Sequence, residues 1–336
     1  MNYNFFKLKN GLRVILVDTK TFPTLTAMLL VGAGSRFETK NNNGIAHFFE
    51  HMAFKGSKKY PNAMILSSLV EGIGGLFNAF TSKDHTGYWI KGQATHFETI
   101  IDVLADMIQH PLLKEDEIER EKGVIIEEIN MYEDQPQYKV WELFEELIYP
   151  SHPLGYPIAG KKETVSQFNR QTFLDYINRL YYPENLILVV AGGLGQAKNY
   201  IKIIEEKFGC WQKTGENQFL KFKEDQKKPR KLIFKKKTEQ AHLVLGYPGL
   251  NYTDPERLTQ SVLMTILGGG MSSRLFYELR ERRGLCYYVS SGVEPFVDTG
   301  YIYTRAGLTL NVDKIQEAIK IIIDEHQKLA EKQVDE

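Results

Sequence analysis

Residues 44–54 read GIAHFFEHMAF and place two histidines and a glutamate in an otherwise apolar segment. If this segment is a helix, His47 and His51 share one face and Glu50 lies beside them. Two imidazoles at this spacing can bind one zinc ion, which favours nitrogen ligands and tetrahedral geometry. The carboxylate of Glu50 can then act as a general base without binding the metal, which is the division of roles in the inverted zincin motif H-x-x-E-H. The motif predicts a zinc-dependent hydrolase.

A third protein ligand would distinguish a metal site from a chance match, because a histidine on an apolar helix is more often a core residue. Residues 115–133 have a helical pattern and carry many carboxylates, most of which must face water. Glu121 and Glu128 share a mixed polar and apolar face of that helix, whereas Glu127 lies on a polar face. Glu128 is therefore the better third ligand, and Glu121 is predicted to orient the ligating groups. A solvated or purely structural role for Glu121 is the alternative.

The apolar residues of the segments that must position these side chains recur in two ways. In some segments they alternate, as in strands, and in others they recur every three to four residues, as in helices. A hairpin is predicted at Asn10-Gly11, a dipeptide that favours tight turns between strands. Predicted strands cover residues 5–17 as that hairpin, 24–32, a pair within 76–91, 186–191, 231–236 and 242–246. Predicted helices cover residues 62–72, 94–109, 114–132, 170–180 and 254–267, besides the histidine-containing segment.

The order of these elements predicts an α+β fold in two related halves. Residues 213–230 are polar, charged and end near a proline, which is typical of a linker. We expect an N-terminal zinc-binding catalytic domain at 1–212 and a C-terminal domain at 231–336. The order strand, strand, helix recurs at the start of both halves. The few βαβ units favour α+β over a doubly wound sheet.

The sequence resembles the pitrilysin family of zinc metallopeptidases, and most of all the branch that contains mitochondrial processing peptidase and its bacterial relatives. The motifs that carry the resemblance are HFFEHMAFKGSKKYP (47–61), GGLFNAFTSKDHTGYW (74–89), EREKGVIIEEI (119–129), HPLGYPIAG (152–160), TEQAHLVLGYPG (238–249) and GGGMSSRLFYELRERRGLCYYV (268–289). The resemblance implies two halves, each with helices packed on a mostly antiparallel sheet, with the second half incomplete here. It implies an endopeptidase that cleaves unfolded peptides or presequence-like segments.

The resemblance also assigns roles to the residues of the motif. It implies one zinc ion per chain, bound by His47, His51 and Glu128. Glu50 would be the general base and Glu121 the supporting acid. These assignments agree with the helical spacing.

Two further groups are implied by the resemblance. Phe77, Asn78 and Ala79 would lie near the substrate, on a strand that can pair with an extended peptide. A core position is the alternative for Phe77, as it is for Phe80.

Arg280 and Tyr287, from the second half, would donate hydrogen bonds to a developing oxyanion or to substrate carbonyls. Tyr288 is the alternative to Tyr287 if the register differs by one residue. Arg282 and Arg283 are interpreted as a solvated basic surface.

Composition excludes several other classes of protein. Lys plus Arg and Asp plus Glu both count 42, so no net charge directs the chain to nucleic acid. The N-terminal residues show neither a signal peptide nor a membrane anchor, and the two cysteines indicate a reducing compartment, so a cytoplasmic location is predicted. A homodimer, or a heterodimer with a family relative, is expected. The alternative to catalysis is a non-catalytic scaffold or peptide-binding subunit.

Overall fold

The computed structural model describes residues 3–194 and 197–334. The chain divides into two compact units, Met1–Asn130 with Tyr156–Leu220, and Met131–Gly155 with Lys221–Glu336. Residues 131–155 thus belong to the second unit although they precede part of the first. The sequence-based domain limits at 212 and 231 stay a prediction.

The strands are β1 Asn4–Lys7, β2 Arg13–Asp18, β3 Thr24–Val31, β4 Leu76–Thr81, β5 Thr86–Gln93, β6 Leu186–Gly192, β7 Gln240–Pro248, β8 Cys286–Pro295 and β9 Gly300–Thr309. The helices are α1 Ile45–Ala53, α2 Ala63–Gly72, α3 Phe97–Gln109, α4 Glu115–Asp134, α5 Pro136–Ile148, α6 Lys162–Val165, α7 Arg170–Leu180, α8 Ala197–Phe208, α9 Arg257–Gly268 and α10 Val312–Glu331. None of the helices in the described residues is long and apolar enough to span a membrane.

The first unit contains a six-stranded sheet in the order β1-β2-β6-β3-β5-β4. In the described part of this sheet β2 and β6 pair in parallel, and the other neighbours are antiparallel. The apolar sequence of β6, LILVVAG, suits its place between two other strands. β4 lies at one edge and has β5 as its neighbour on one side.

Helices cover the sheet of the first unit and bury its apolar side chains. α3 contacts β5 and α8, while α1 contacts β4 and α7. The ring of Phe48 on α1 packs edge-on against Phe173, with centroids 5.0 Å apart, and Phe49 packs against Tyr181 at 4.8 Å. Aromatic contacts of this geometry add to the free energy gained by burial. The apolar side of α1 is therefore fixed within the core.

The second unit contains a three-stranded antiparallel sheet in the order β7-β9-β8. Its order matches that of β3-β5-β4 in the first unit. α9 contacts β8, α10 contacts β9, and α5 contacts β7. The predicted α+β fold with mostly antiparallel sheets is confirmed.

The predicted strand at residues 231–236 is wrong, because the structure shows no strand there. Leu232, Ile233 and Phe234 are 46%, 71% and 55% exposed. Apolar residues give a segment the propensity for a strand, but a strand also needs a hydrogen-bonded neighbour. Propensity alone was therefore an insufficient signal.

Candidate metal centre

Helix α1 carries the H-x-x-E-H residues, and its N-terminus is tightly fixed. Gly44 precedes the helix with φ of +98°, a conformation that favours glycine, and a Cβ there would lie 2.8 Å from the carbonyl oxygen of Ala159. The buried carboxylate of Glu38 accepts hydrogen bonds from the N–H groups of Gly44 and Ala46, at 2.8 and 2.9 Å. Burial raises the pKa of Glu38 to about 7, although these donors act in the opposite direction. These contacts determine where α1 begins and hence where its histidines lie.

The side chains of His47, His51 and Glu128 converge at one point. One ligand atom from each lies within 4.8 Å of the others. Oε2 of Glu128, on α4, is 3.6 Å from Nε2 of His47 and 3.7 Å from Nε2 of His51. The two imidazole rings are 4.7 Å apart between centroids. Two nitrogens and one carboxylate oxygen thus face a common space.

This arrangement fits a zinc ion. Zinc binds histidine nitrogen and carboxylate oxygen at about 2.0–2.2 Å in tetrahedral geometry, which places ligand atoms about 3.4 Å apart. The separations of 3.6 and 3.7 Å from Glu128 to the two histidines are close to that value. Three protein ligands are also the number typical of catalytic zinc sites, which keep a fourth position open.

The two histidines differ in their electrostatic surroundings. Burial, with the neighbouring His51, lowers the pKa of His47 to about 4, although Glu128 acts in the opposite direction. The imidazole of His47 is therefore neutral at neutral pH and can offer a lone pair. Burial also acts to lower the pKa of His51, but the carboxylates of Glu121, Glu128 and Glu50 outweigh it and raise that pKa. A cation that binds His51 therefore competes with a proton that these carboxylates help to hold.

Glu121 fixes the orientation of His51. Its Oε1 lies 2.8 Å from Nδ1 of His51, and its Oε2 lies 2.6 Å from Nζ of Lys55. An ionised carboxylate can only accept, so Nδ1 of His51 donates to Glu121 and Nε2 is left toward Glu128. Burial acts to raise the pKa of Glu121, but His51 and Lys55 outweigh it and lower that pKa.

Glu50 lies beside the histidines and is held by the edge strand. The hydroxyl of Thr81, the last residue of β4, donates to Oε2 of Glu50 at 2.5 Å. Burial raises the pKa of Glu50, although the hydrogen bond from Thr81 and the charge of His51 act to lower it. A carboxylate with a raised pKa is a stronger base, as general-base catalysis near neutral pH requires.

The predicted substrate-binding residues lie on β4. Phe77 and Ala79 are half-buried and alternate with exposed Asn78. The ring of Phe77 packs against that of Phe54, just after α1, with the ring centroids 5.5 Å apart. The Oδ1 of Asn78 accepts from the N–H of Ala79 at 2.8 Å. Phe80 is 37% exposed.

Arg280 and Tyr287 lie close together in the second unit. Arg280 is in a π-helical turn, Phe276–Glu281, and its guanidinium lies 4.9 Å from the ring of Phe276 and 5.6 Å from that of Tyr287. Tyr287 is the extra residue of a β-bulge in β8 and is 72% exposed. Bulges re-aim side chains, and this one leaves the phenol of Tyr287 in solvent.

The neighbours of this pair have other partners. Arg282 and Arg283 both form salt bridges with Glu278, the first at 2.9 Å. The hydroxyl of Tyr288 pairs with Nδ1 of His242 at 3.0 Å. Within the described residues, Arg280 forms no salt bridge, so of the three arginines its guanidinium is the one that an ion pair does not occupy.

Sequence reasoning missed three residues that support the site, namely Glu38, Lys55 and Thr81. Lys55 continues the spacing of four residues that relates His47 to His51, and that spacing was an available signal. The contacts of Glu38 and Thr81 join elements that are distant in the sequence, so no local pattern predicts them.

Two family models together match most of the chain. The model described as Insulinase (Peptidase family M16) matches residues 13–162, and the one described as Peptidase M16 inactive domain matches residues 167–336. The residues that converge on α1 and α4 all fall within the first match. The second match covers Arg280 and Tyr287.

Relatives and solved structures agree with these matches. The uncharacterized zinc protease YmxG of Bacillus subtilis is 39% identical over 316 residues, which is 94% of this chain and 76% of that protein. A protease from Helicobacter pylori has a similar fold, with a TM-score of 0.90 at 24% identity over 100% of this chain and 81% of that one. Pitrilysin matches with a TM-score of 0.77 and 25% identity over 99% of this chain and 37% of its own.

Proposed function

The chain belongs to peptidase family M16, and from this premise we propose that it is a zinc-dependent endopeptidase. The proposed substrates are unfolded peptides or presequence-like segments, as in the processing-peptidase branch that the motifs resemble. The observation that carries the proposal is the convergence of His47, His51 and Glu128, with Glu50 beside them. Relatives named zinc proteases support the same metal and the same class of reaction.

The proposed mechanism assigns one role to each polar residue of the site. A zinc ion bound by the three ligands would supply a positive charge that polarises the peptide carbonyl and activates water. Oε2 of Glu50 is engaged by Thr81, so Oε1 is the atom assigned to take the proton of the attacking water. Glu121 holds His51 with its Nε2 toward the ligand cluster. Proton transfer by Glu50 is the step that separates hydrolysis from mere peptide binding.

We propose that substrate pairs with β4 as an added strand. β4 is an edge strand, and extended peptides bind such edges through backbone hydrogen bonds. Its last residue, Thr81, contacts Glu50, so a peptide lying along β4 would run toward the proposed base. Phe77, Asn78 and Ala79 are the residues proposed to line its path. In folded proteins most extended segments are already paired within sheets, so an unfolded segment is the readiest source of a free extended backbone, which supports the proposed substrate class.

Arg280 and Tyr287 are proposed, from the family resemblance, as donors to substrate carbonyls or to the oxyanion. Their exposed and mutually stacked side chains have donor groups available for this role. The homodimer or heterodimer and the cytoplasmic location stay predictions from the sequence.

The test combines zinc stoichiometry with cleavage of a quenched fluorescent peptide, with and without a chelator. We expect one zinc per chain and cleavage that the chelator stops and added zinc restores. Glu50→Gln should keep the zinc and lower kcat by about 10²- to 10⁴-fold, the contribution typical of a general base. Zinc binding without cleavage by the unmodified protein would instead favour the scaffold or peptide-binding subunit.

A further inference from the structure

Lys55 has a contact that the proposed mechanism does not use. It follows helix α1 closely, and its side chain, 28% exposed, reaches the buried carboxylate of Glu121 at 2.6 Å. We propose that Lys55 is a positioning residue of the metal centre. It fixes Glu121, and through Glu121 it keeps Nε2 of His51 directed at the cation. The inference rests on the proposed zinc site and adds a residue to it.

The geometry of Glu121 is that of a bridge with one partner at each oxygen. Oε1 meets Nδ1 of His51 at 2.8 Å, and Oε2 meets Nζ of Lys55 at 2.6 Å. Within the described residues these are its two polar partners. A carboxylate held at both oxygens cannot rotate away from the histidine, and each bond is strengthened by charge. Loss of Lys55 would leave one oxygen of Glu121 without a donor.

Burial makes this second donor necessary. The Glu121 side chain is 4% exposed, so with Lys55 in place little water reaches its oxygens, and a side chain of equal length without a charge would keep most of it out. A buried carboxylate that loses its cation is strongly disfavoured, and it turns toward water or toward another donor. Either movement would break the hydrogen bond that sets the orientation of His51.

The charges of the site lead to the same conclusion. Glu50, Glu121 and Glu128 bring three carboxylates to one half-buried region. A zinc dication balances two of these charges, and the ammonium of Lys55 balances the third. Without Lys55 the loaded site would carry a net negative charge in a region of low dielectric constant, where charges are least well screened.

A similar ion pair on α4 shows what distinguishes Lys55. Nζ of Lys122 also lies 2.6 Å from a carboxylate, that of Glu119, but the side chain of Glu119 is 67% exposed. The Lys122 side chain is 13% exposed, but a pair whose acid is exposed contributes little, because water solvates the acid once the lysine is gone. The two lysines therefore lie at the same distance from their carboxylates, but Glu121 is buried beside the metal ligands whereas Glu119 is in solvent. Lys122 is the matched control.

The experiment measures zinc affinity of the full chain by competition with a chromophoric chelator, without peptide. Lys55→Met, which keeps the length of the side chain, should weaken zinc binding by about 10- to 100-fold, as losses of outer partners of metal ligands do. Lys122→Met should leave the affinity unchanged. Lys55→Arg should restore most of the lost affinity, because it returns a cationic donor.

A double-mutant cycle with Glu121→Gln separates positioning from a general effect on charge or folding. If Lys55 acts through Glu121, Lys55→Met should change the affinity less than about 2-fold in the Glu121→Gln background. Full additivity of the two changes, or a Lys55→Met variant that binds zinc as the unmodified protein does, would overturn the proposal. Circular dichroism of the metal-free proteins checks that each is folded.

If Lys55→Met does not fold, the zinc affinities of Lys55→Arg and Lys55→Gln are compared instead. Retained affinity in the first and lost affinity in the second supports the proposal, and equal affinity in both overturns it. The proposed function is judged separately by peptide cleavage. An unmodified protein that binds zinc but cleaves nothing would refute the peptidase while leaving the role of Lys55 intact.

Discussion

Two regions with proposed roles in the reaction are built in opposite ways. Around α1, Glu50 and Glu121 are held by side chains from other segments, and Glu121 is buried. In the second unit, Arg280 and Tyr287 are held by ring contacts, and Tyr287 is 72% exposed. The first region has its geometry before any ligand arrives, whereas the second leaves its phenol exposed to solvent, where a ligand can reorient it.

The difference indicates what each region is suited to do. A metal ion is small and has fixed bond lengths, so ligands must be placed within a few tenths of an ångström before binding. A peptide varies in sequence, and donors on mobile side chains can adapt to it at the cost of ordering them. Fixed ligands should therefore show large and specific losses when they are changed, and mobile donors smaller ones.

The largest expected effect is at the third ligand. Glu128→Gln removes the charged oxygen that faces both histidines, so zinc affinity should fall by more than the roughly 100-fold typical of outer partners. Glu127→Gln, one residue earlier and exposed, should bind zinc as the unmodified protein does. Equal losses in the two variants, measured by chelator competition, would show that α4 contributes only general charge.

A smaller loss is expected at the exposed pair. Tyr287→Phe removes one donor and should lower kcat/KM by about 10-fold, less than the 10²- to 10³-fold typical of a preorganised oxyanion donor. Zinc affinity should not change. Arg282→Gln, whose guanidinium is paired with Glu278, should stay within about 2-fold of the unmodified protein in kcat/KM. A Tyr287→Phe variant with altered zinc affinity would contradict the proposal that this tyrosine acts on the substrate and not on the metal ligands.

Thr81 tests how firmly the proposed base is held. Thr81→Val removes the hydroxyl that donates to Glu50 and should lower kcat/KM by about 3- to 10-fold. The hydrogen bond lowers the pKa of Glu50, so its loss raises that pKa further, and the acidic limb of the pH profile should move to higher pH. Thr81→Ser keeps the donor and should keep the profile. A shift toward lower pH in Thr81→Val would refute the assigned donor.

The smallest effect is expected at Asp102, which forms salt bridges with two lysines and has no proposed role in the reaction. Lys207, Lys59 and Tyr60 outweigh burial and lower the pKa of Asp102 from 3.8 to about 2. The ionised Asp102 therefore stabilises the folded protein above pH 3.8, and this contribution is lost as the pH falls from 3.8 toward 2. Asp102→Asn should lower the free energy of unfolding at pH 7 by about 1 kcal/mol, since Lys59 is largely solvated.

Chemical denaturation at pH 7 and pH 3 measures that contribution, which should be smaller at the lower pH. Zinc affinity of Asp102→Asn should equal that of the unmodified protein. A loss of zinc binding in this variant would mean that the salt bridges of Asp102, which lie outside α1, also affect the geometry of the metal centre.

The sequence predicted the parts of the site that depend on helical spacing. His47, His51 and Glu50 follow from one helix, and the helical phase of residues 115–133 alone favours Glu128 over Glu127. Predictions of this kind are possible because a helix fixes the relative directions of its own side chains. They also depend on α1 being a helix, which its buried apolar residues ensure.

The remaining parts of the site depend on how separate elements pack. Thr81 meets Glu50 because the end of β4 lies against α1, and no pattern within either segment encodes that contact. The bulge that exposes Tyr287 is set by the pairing of β8 with β9. Lys55 was within reach of the spacing rule, but a lysine after a helix is ordinarily solvated. The structure shows that the ammonium group of this one instead lies against the buried carboxylate of Glu121.

The central position of β6 has a consequence for the synthesis of the protein. β2 and β3 are close in the chain but are not neighbours in the sheet, because β6 lies between them. While the ribosome is still translating residues before 186, β6 does not yet exist, so no strand links β2 to β3 in one sheet. We expect a nascent chain to acquire tight zinc binding only after β6 has left the exit tunnel, although both histidines emerge more than a hundred codons earlier.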